Sequence, residues 1–150
     1  MLSDKVSTLK LQHPLVVQSG ASVGQVVDEV QRRDVGCVLV CEGPRLTGIM
    51  TERDVLMKVV ARDVSSRQPV DDLMTPSPIT MTPNHTIGEA IDLINRTEMW
   101  HIPVVDPGSG EALAVFSIRD VIDYLAESFP EQVINLPPRP HQKMTTPEGA

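Results

Sequence analysis

A shift of 64 residues lays one half of this 150-residue chain on the other. The stretch "LVVQSGASVGQVVDEV" (15–30) falls on "ITMTPNHTIGEAIDLI" (79–94), with Ser22 on Thr86, Gly24 on Gly88 and Asp28 on Asp92. The apolar residues Val23, Val26, Val27 and Val30 fall on Ile87, Ala90, Ile91 and Ile94. Both sets follow the i, i+3, i+4, i+7 spacing of one face of an amphipathic helix. Each helix opens with a capping box, Ser22 with Gln25 and Thr86 with Glu89. The register runs on through "VGCVLVC" (35–41) and "MWHIPVV" (99–105), then becomes 66, because the loop "DPGSGE" is two residues longer than "EGPR". A length change confined to a hairpin loop is what a structural repeat tolerates.

After the hairpins, "LTGIM" and "ALAVF" read as short strands, and two more helices follow, with Val55, Leu56, Val59 and Val60 matching Val121, Ile122, Leu125 and Ala126. Each copy therefore reads strand, helix, strand, strand, helix. The predicted fold class is α/β (α+β): two β-α-β-β-α repeats packed sheet to sheet with pseudo-twofold symmetry, since a copy of roughly 50 residues buries too little surface alone. The divisions are 1–64 for the N-terminal segment and first repeat, 65–73 for a Ser- and Pro-containing connector, 74–128 for the second repeat and 129–150 for a tail. That tail holds five of the thirteen prolines and little apolar periodicity, so it reads as irregular. Aromatic residues make up only 3% of the chain, so the core is built from Val, Ile, Leu and Met.

The formal charge of −7 argues against general nucleic-acid binding but leaves room for a small anion held by local arginines. No apolar run approaches the roughly 20 residues of a membrane span, and no secretion signal is visible, so a soluble cytoplasmic protein is expected. Cys37 and Cys41 lie on one predicted strand, about 13 Å apart at ~3.3 Å per residue, too far to bridge each other. The histidines are scattered, and no metal constellation, nucleophile elbow or phosphate-binding glycine loop appears. Catalysis is not expected.

One corner occurs twice. "GIMTERD" (48–54) and "AVFSIRD" (114–120) each carry a hydroxyl, an arginine and an aspartate at the same spacing where a strand meets a helix. Ser/Thr-x-x-Asp is close to a capping box, and capping alone explains one such pattern. Its recurrence, with Arg53 and Arg119 kept beside Asp54 and Asp120, points further. A helix start and an arginine fork suit phosphate, and a carboxylate accepts the paired hydroxyls of a ribose. His101 is a donor for phosphate or a strand-capping histidine; Trp100, the lone tryptophan, reads as a packing or subunit contact.

With "HIPVVD" (101–106) and "DLMTPSPITMTPNHTIGEAI" added, the span from about Leu11 to Glu127 resembles a tandem pair of CBS domains, a stand-alone Bateman module of bacterial type. The resemblance implies two clefts that bind adenosine-containing ligands: AMP, ADP, ATP, NAD or S-adenosylmethionine in different members. It implies that Asp54 and Asp120 hold ribose hydroxyls and that Thr51 and Ser117 contact ribose or phosphate. It places Gly36, Cys37 and Val38, His101, Ile102 and Pro103, with Val16, Val17, Thr80 and Met81, around the adenine. It further implies a homodimer that senses a nucleotide and signals to another protein. The alternatives are a structural dimerisation module with vestigial clefts, an S-adenosylmethionine-binding variant and a nucleotide-processing enzyme. Two departures make the clefts unequal. Ala114 stands where the first copy has Gly48, an extra methyl that narrows the approach to the second site, and Leu39 stands where the second copy has Pro103. The second cleft, with Ser117, Asp120 and His101, is expected to be the better phosphate binder.

Overall fold

The computed structural model describes residues 2–128; the expected Pro-rich tail lies outside the described residues. In chain order the elements are β1 (Val16–Gln18), α1 (Val23–Arg33), β2 (Cys37–Glu42), β3 (Arg45–Thr51), α2 (Glu52–Asp54), β4 (Thr75–Pro76), α3 (Ile87–Thr97), β5 (His101–Val105), β6 (Ala112–Ser117) and α4 (Ile118–Ser128). Both capping boxes form: the Ser22 side chain accepts from the Gln25 N–H, the Thr86 side chain from the Glu89 N–H, and each third residue reaches back to the cap backbone. Both helices end on a left-handed residue, Asp34 (φ 51) and Glu98 (φ 57), 64 positions apart.

The helix after the first corner departs from expectation. Its first turn is α, but Val55–Val60 follows as a π-helix, whereas α4 stays regular. The second sheet differs too. In the first, β1 pairs with β2 in parallel at three positions, and the Leu39 N–H donates to the Leu15 carbonyl at 2.8 Å. Pro103 takes the place of Leu39 in the second copy and has no N–H to give. The expected strand there shrinks to one bridge, Met81 to Val104.

Strand alternation sorts the core into three layers. Val38, Val40 and Met50 face the first repeat's helices with Val23, Val26 and Val70. Ile102, Val104 and Phe116 face the second repeat's helices with Ala90, Ile94 and Val6. Cys37, Leu39 and Ile49 face the opposite way and meet Ala112 and Val115 of the other sheet. The pseudo-twofold axis runs through the hairpins. Arg45 bridges Glu111, its own counterpart, and Leu46 N–H to Gly110 carbonyl (3.1 Å) mirrors Ala112 N–H to Pro44 carbonyl (3.2 Å).

The segments that lead into each repeat are exchanged. A 3-10 turn at Val6–Thr8 buries Val6 in the second repeat's core, and its counterpart at Val70–Asp72 buries Val70 in the first. The bridges Lys5–Thr86 and Ser22–Pro69 are likewise counterparts. The exchange satisfies donors that a helix start leaves open. Val23 and Gly24 donate to the carbonyls of Gln68 and Ser66, while Ile87 and Gly88 donate to those of Asp4 and Leu2. Glycine eases the close approach at the second position of each pair, because a Cβ would stand a tight 3.1 Å from the Ser66 oxygen and 3.2 Å from the Leu2 oxygen. Val6→Ala removes two buried methyl groups and leaves a gap, so it is expected to destabilise the protein by about 2 kcal/mol. Ser7→Ala, exposed beside it, is expected to stay within about 0.5 kcal/mol. Urea unfolding midpoints of the two variants check this.

Candidate functional site: a cavity walled by both repeats

Each repeated corner is tied to the start of the second strand of its own repeat. The Glu52 N–H donates to the Gly36 carbonyl at 3.0 Å, and the Ile118 N–H to the Trp100 carbonyl at 3.2 Å. Both corners also cap their helices. The Thr51 N–H donates to Asp54 Oδ2 at 3.0 Å, and the Asp54 N–H to Thr51 Oγ1 at 3.1 Å. At the second corner the Ser117 N–H (2.7 Å) and Ser117 Oγ–H (3.1 Å) both donate to Asp120 Oδ2.

From there the corners diverge. The other oxygen of Asp54, Oδ1, lies 3.6 Å from Lys58 Nζ, and that ammonium donates to the Leu73 carbonyl at 3.0 Å. Sixty-six residues on, Tyr124 stands in place of Lys58, and its hydroxyl donates to Asp4 at 3.0 Å. No side chain approaches Asp120 Oδ1 within hydrogen-bonding range among the described residues. The first carboxylate has its second oxygen answered from inside the chain, whereas the second presents Oδ1 to open space.

That space is a cavity of about 640 Å³. Ser117, Arg119, Asp120 and His101 of the second repeat form one wall; Gly36, Cys37 and Glu52 of the first form the other. The His101 ring rests on Gly36, where a Cβ would overlap Nε2. Burial lowers the His101 pKa, with Glu52 and Asp120 pulling the opposite way. Burial raises that of Asp120, against the two Ser117 bonds. Cys37 is pushed up to about 12 by burial and then by Glu52, so its thiol is inert.

The structure brings together only part of the expected set. Thr51, Arg53 and Asp54 belong to the first corner and do not line this cavity, and Arg53 is exposed. Val38, Ile102 and Met81 are buried in the cores of their own repeats, and Pro103 is buried as well. Val16 and Val17 face a groove against α1 beside Gln25 and Arg32, and Thr80 faces its counterpart against α3 beside Glu89 and Arg96. The Ala114 methyl does not narrow the cavity, because it packs toward the second repeat's core instead.

Several lining residues escaped the sequence reading. Lys10, Gln12, His13, Pro14 and Leu15 come from the exchanged segment, and no local pattern marks them. Asp34, Val35, Val115 and Ile118 flank residues already singled out. Glu52 follows the first hydroxyl directly, and Asp123 lies one helical turn beyond Asp120, so both were within reach of the motif. Among the described residues no group of three or more His, Cys, Asp or Glu side chains is placed to hold a metal ion. No helix among them is long and apolar enough to cross a membrane.

Comparison with known proteins agrees with this architecture. The model of the CBS domain family matches residues 6–61 and again 70–127. An uncharacterised protein of Methanocaldococcus jannaschii is 32% identical over 123 residues, which are 79% of this chain. The chain spans 65% of that relative's length. Among solved structures, the CBS domain protein PAE2072 from Pyrobaculum aerophilum, complexed with AMP, superposes with a TM-score of 0.72 at 25% identity, covering 82% of this chain and 98% of that one. The CBS domain pair of protein MJ0100, in complex with 5′-methylthioadenosine and S-adenosyl-L-methionine, superposes with a TM-score of 0.73 over 83% and 97% of the two chains, at 17% identity that speaks for the fold alone. Two consecutive family matches, an exchanged pseudo-twofold architecture and one corner built twice leave a single assignment: the chain belongs to the CBS domain family and carries two such domains paired around a common core.

Proposed function

We propose that the chain is a regulatory module that binds an adenine nucleotide (AMP, ADP, ATP or NAD) at its second corner and signals its state to another protein, without catalysis of its own. The observation that carries this reading is Asp120: a half-buried carboxylate on the cavity wall with Oδ1 uncommitted. Two ribose hydroxyls donating to it would replace the hydration lost on burial. The AMP complex of the P. aerophilum relative supports the same chemistry. Because the cavity is walled by both repeats, affinity depends on how they sit relative to one another, and that dependence lets a ligand shift an equilibrium. Thermal unfolding tests it. Ligand at a hundredfold excess over its dissociation constant should add about 2.7 kcal/mol, and chromatography should recover the ligand intact. No shift with any adenosine compound would favour a module whose clefts are vestigial.

One observation favours a second reading, the S-adenosylmethionine variant. Asp34, Glu52, Asp120 and Asp123 line the cavity against only Lys10 and Arg119. A polyphosphate meets repulsion there, and a sulfonium does not. Side-by-side titration of ATP, AMP and S-adenosylmethionine at fixed ionic strength separates the two.

The same reading includes a homodimer. Leu56 and Val60 after the first corner and Ile122 and Leu125 after the second are 58%, 65%, 60% and 40% exposed. Apolar residues repeated on both second helices support a second copy as their cover. Leu56→Asp with Ile122→Asp is expected to convert a dimer to a monomer in sedimentation experiments.

A further inference from the structure

The two copies of the corner differ in the side chain that stands beside the aspartate, Lys58 in the first and Tyr124 in the second. At the second corner, the gap between Asp120 and the exchanged segment is a second cavity of about 540 Å³, lined by Leu9, Lys10, Asp123 and Tyr124. It shares Lys10, Asp120 and Asp123 with the main cavity. The corresponding gap at the first corner lies between Asp54 and Leu73, the counterparts of Asp120 and Leu9. Lys58 spans it, with its ammonium 3.6 Å from Asp54 Oδ1 and donating to the Leu73 carbonyl at 3.0 Å. The Lys58 and Asp54 side chains are only 29% and 19% exposed, so this is a sheltered pair rather than a solvated surface one. An ammonium there balances the carboxylate's charge and donates its hydrogen bond to the Leu73 carbonyl, so Asp54 Oδ1 has less to gain from the neutral donors of a ribose hydroxyl pair.

Resting on the adenosine-binding reading above, we propose that Lys58 is an internal stand-in for ligand at the first corner, so that each chain holds one adenosine ligand, at Asp120, and Lys58 decides that number. Removing the ammonium frees Asp54 Oδ1 and the Leu73 carbonyl together and makes the first corner chemically like the second.

The experiment is a titration of AMP, and in parallel of S-adenosylmethionine, into full-length protein by calorimetry, with native mass spectrometry counting bound ligand. Wild type is expected to saturate at one ligand per chain. Lys58→Ala is expected to admit a second ligand of weaker affinity, and Lys58→Met, which keeps the apolar stem and its packing, to do the same if alanine perturbs folding. Asp120→Ala combined with Lys58→Met is expected to retain one ligand, now at the first corner. Two ligands per wild-type chain, or one per chain in both folded Lys58 variants, overturns the inference while leaving the nucleotide reading intact. Failure of AMP, ADP, ATP, NAD and S-adenosylmethionine alike to bind any of the proteins brings down that reading and this one with it.

Discussion

Replacing Asp120 with alanine is expected to weaken adenosine-ligand binding by 100-fold or more, while Asp54→Ala leaves it nearly unchanged. A hydrogen bond to a charged acceptor contributes about 1.5–3 kcal/mol, so losing two from the ribose costs at least about 3 kcal/mol. At ~1.4 kcal/mol per decade that exceeds two decades. Asp54 is engaged by the Thr51 N–H and by Lys58, so its loss falls on the fold. A missing cap costs about 1 kcal/mol. Binding and stability therefore separate: one aspartate is read by titration, the other by unfolding. Equal loss of affinity in both variants would sink the assignment of the site to the second corner. The pH dependence follows from the same burial. With its pKa raised, Asp120 protonates on acidification before an ordinary carboxyl does, and affinity falls with it. Stability runs the other way. A carboxyl whose pKa is raised in the fold binds its proton more tightly folded than unfolded, so that group's unfavourable contribution is relieved as pH falls.

The second large effect concerns the surface between the sheets. Leu39 is fully buried where β2 meets the other repeat, packed with Cys37, Ile49, Ala112 and Val115. Leu39→Ala is expected to cost about 2–5 kcal/mol, because lost burial adds to a cavity that a double-sheet contact cannot collapse. In a chain of this size that is a fall in Tm of roughly 4–20 °C. The transition should remain single, since each repeat's core contains a residue supplied by the other's lead-in, Val6 in one and Val70 in the other. Two separate unfolding steps would show that the repeats are independent. Ligand affinity should drop too, because Gly36 and Cys37 reach the cavity from the end of this same strand. The exposed Leu113, by contrast, should tolerate alanine within about 0.5 kcal/mol.

The repeat, the capping boxes and the apolar run of β2 were readable because they depend on residues a few positions apart. Ser22 meets Gln25 and Thr86 meets Glu89 within one helical turn. The paired corners were readable for the same reason, and so was their double meaning, since Asp120 both caps its helix and faces the cavity. The π-helical turn at Val55–Val60 was not. Its apolar residues fit an α-helical face equally well, and the structure gives no local reason for the change. The shortened strand before Pro103 was legible in principle, because a residue without an N–H cannot hold a ladder bond.

By itself, then, the sequence determined the two-copy plan, the order of elements in each copy and the identity of the corner, all set by short-range spacing and by which side chains can cap, alternate or break. Only the tertiary structure decided which lead-in segment crosses to which repeat, that Lys10 and Gln12 to Leu15 line the cavity, and that Lys58 reaches Asp54 at one corner while Tyr124 reaches Asp4 at the other. The physical reason is separation. Tyr124 and Asp4 are 120 positions apart, and the burial of Val6 depends on a core built some 75 to 115 residues later. Contacts of that range leave no periodic trace in the chain, because their partners are chosen by how surfaces fit once the local elements have formed.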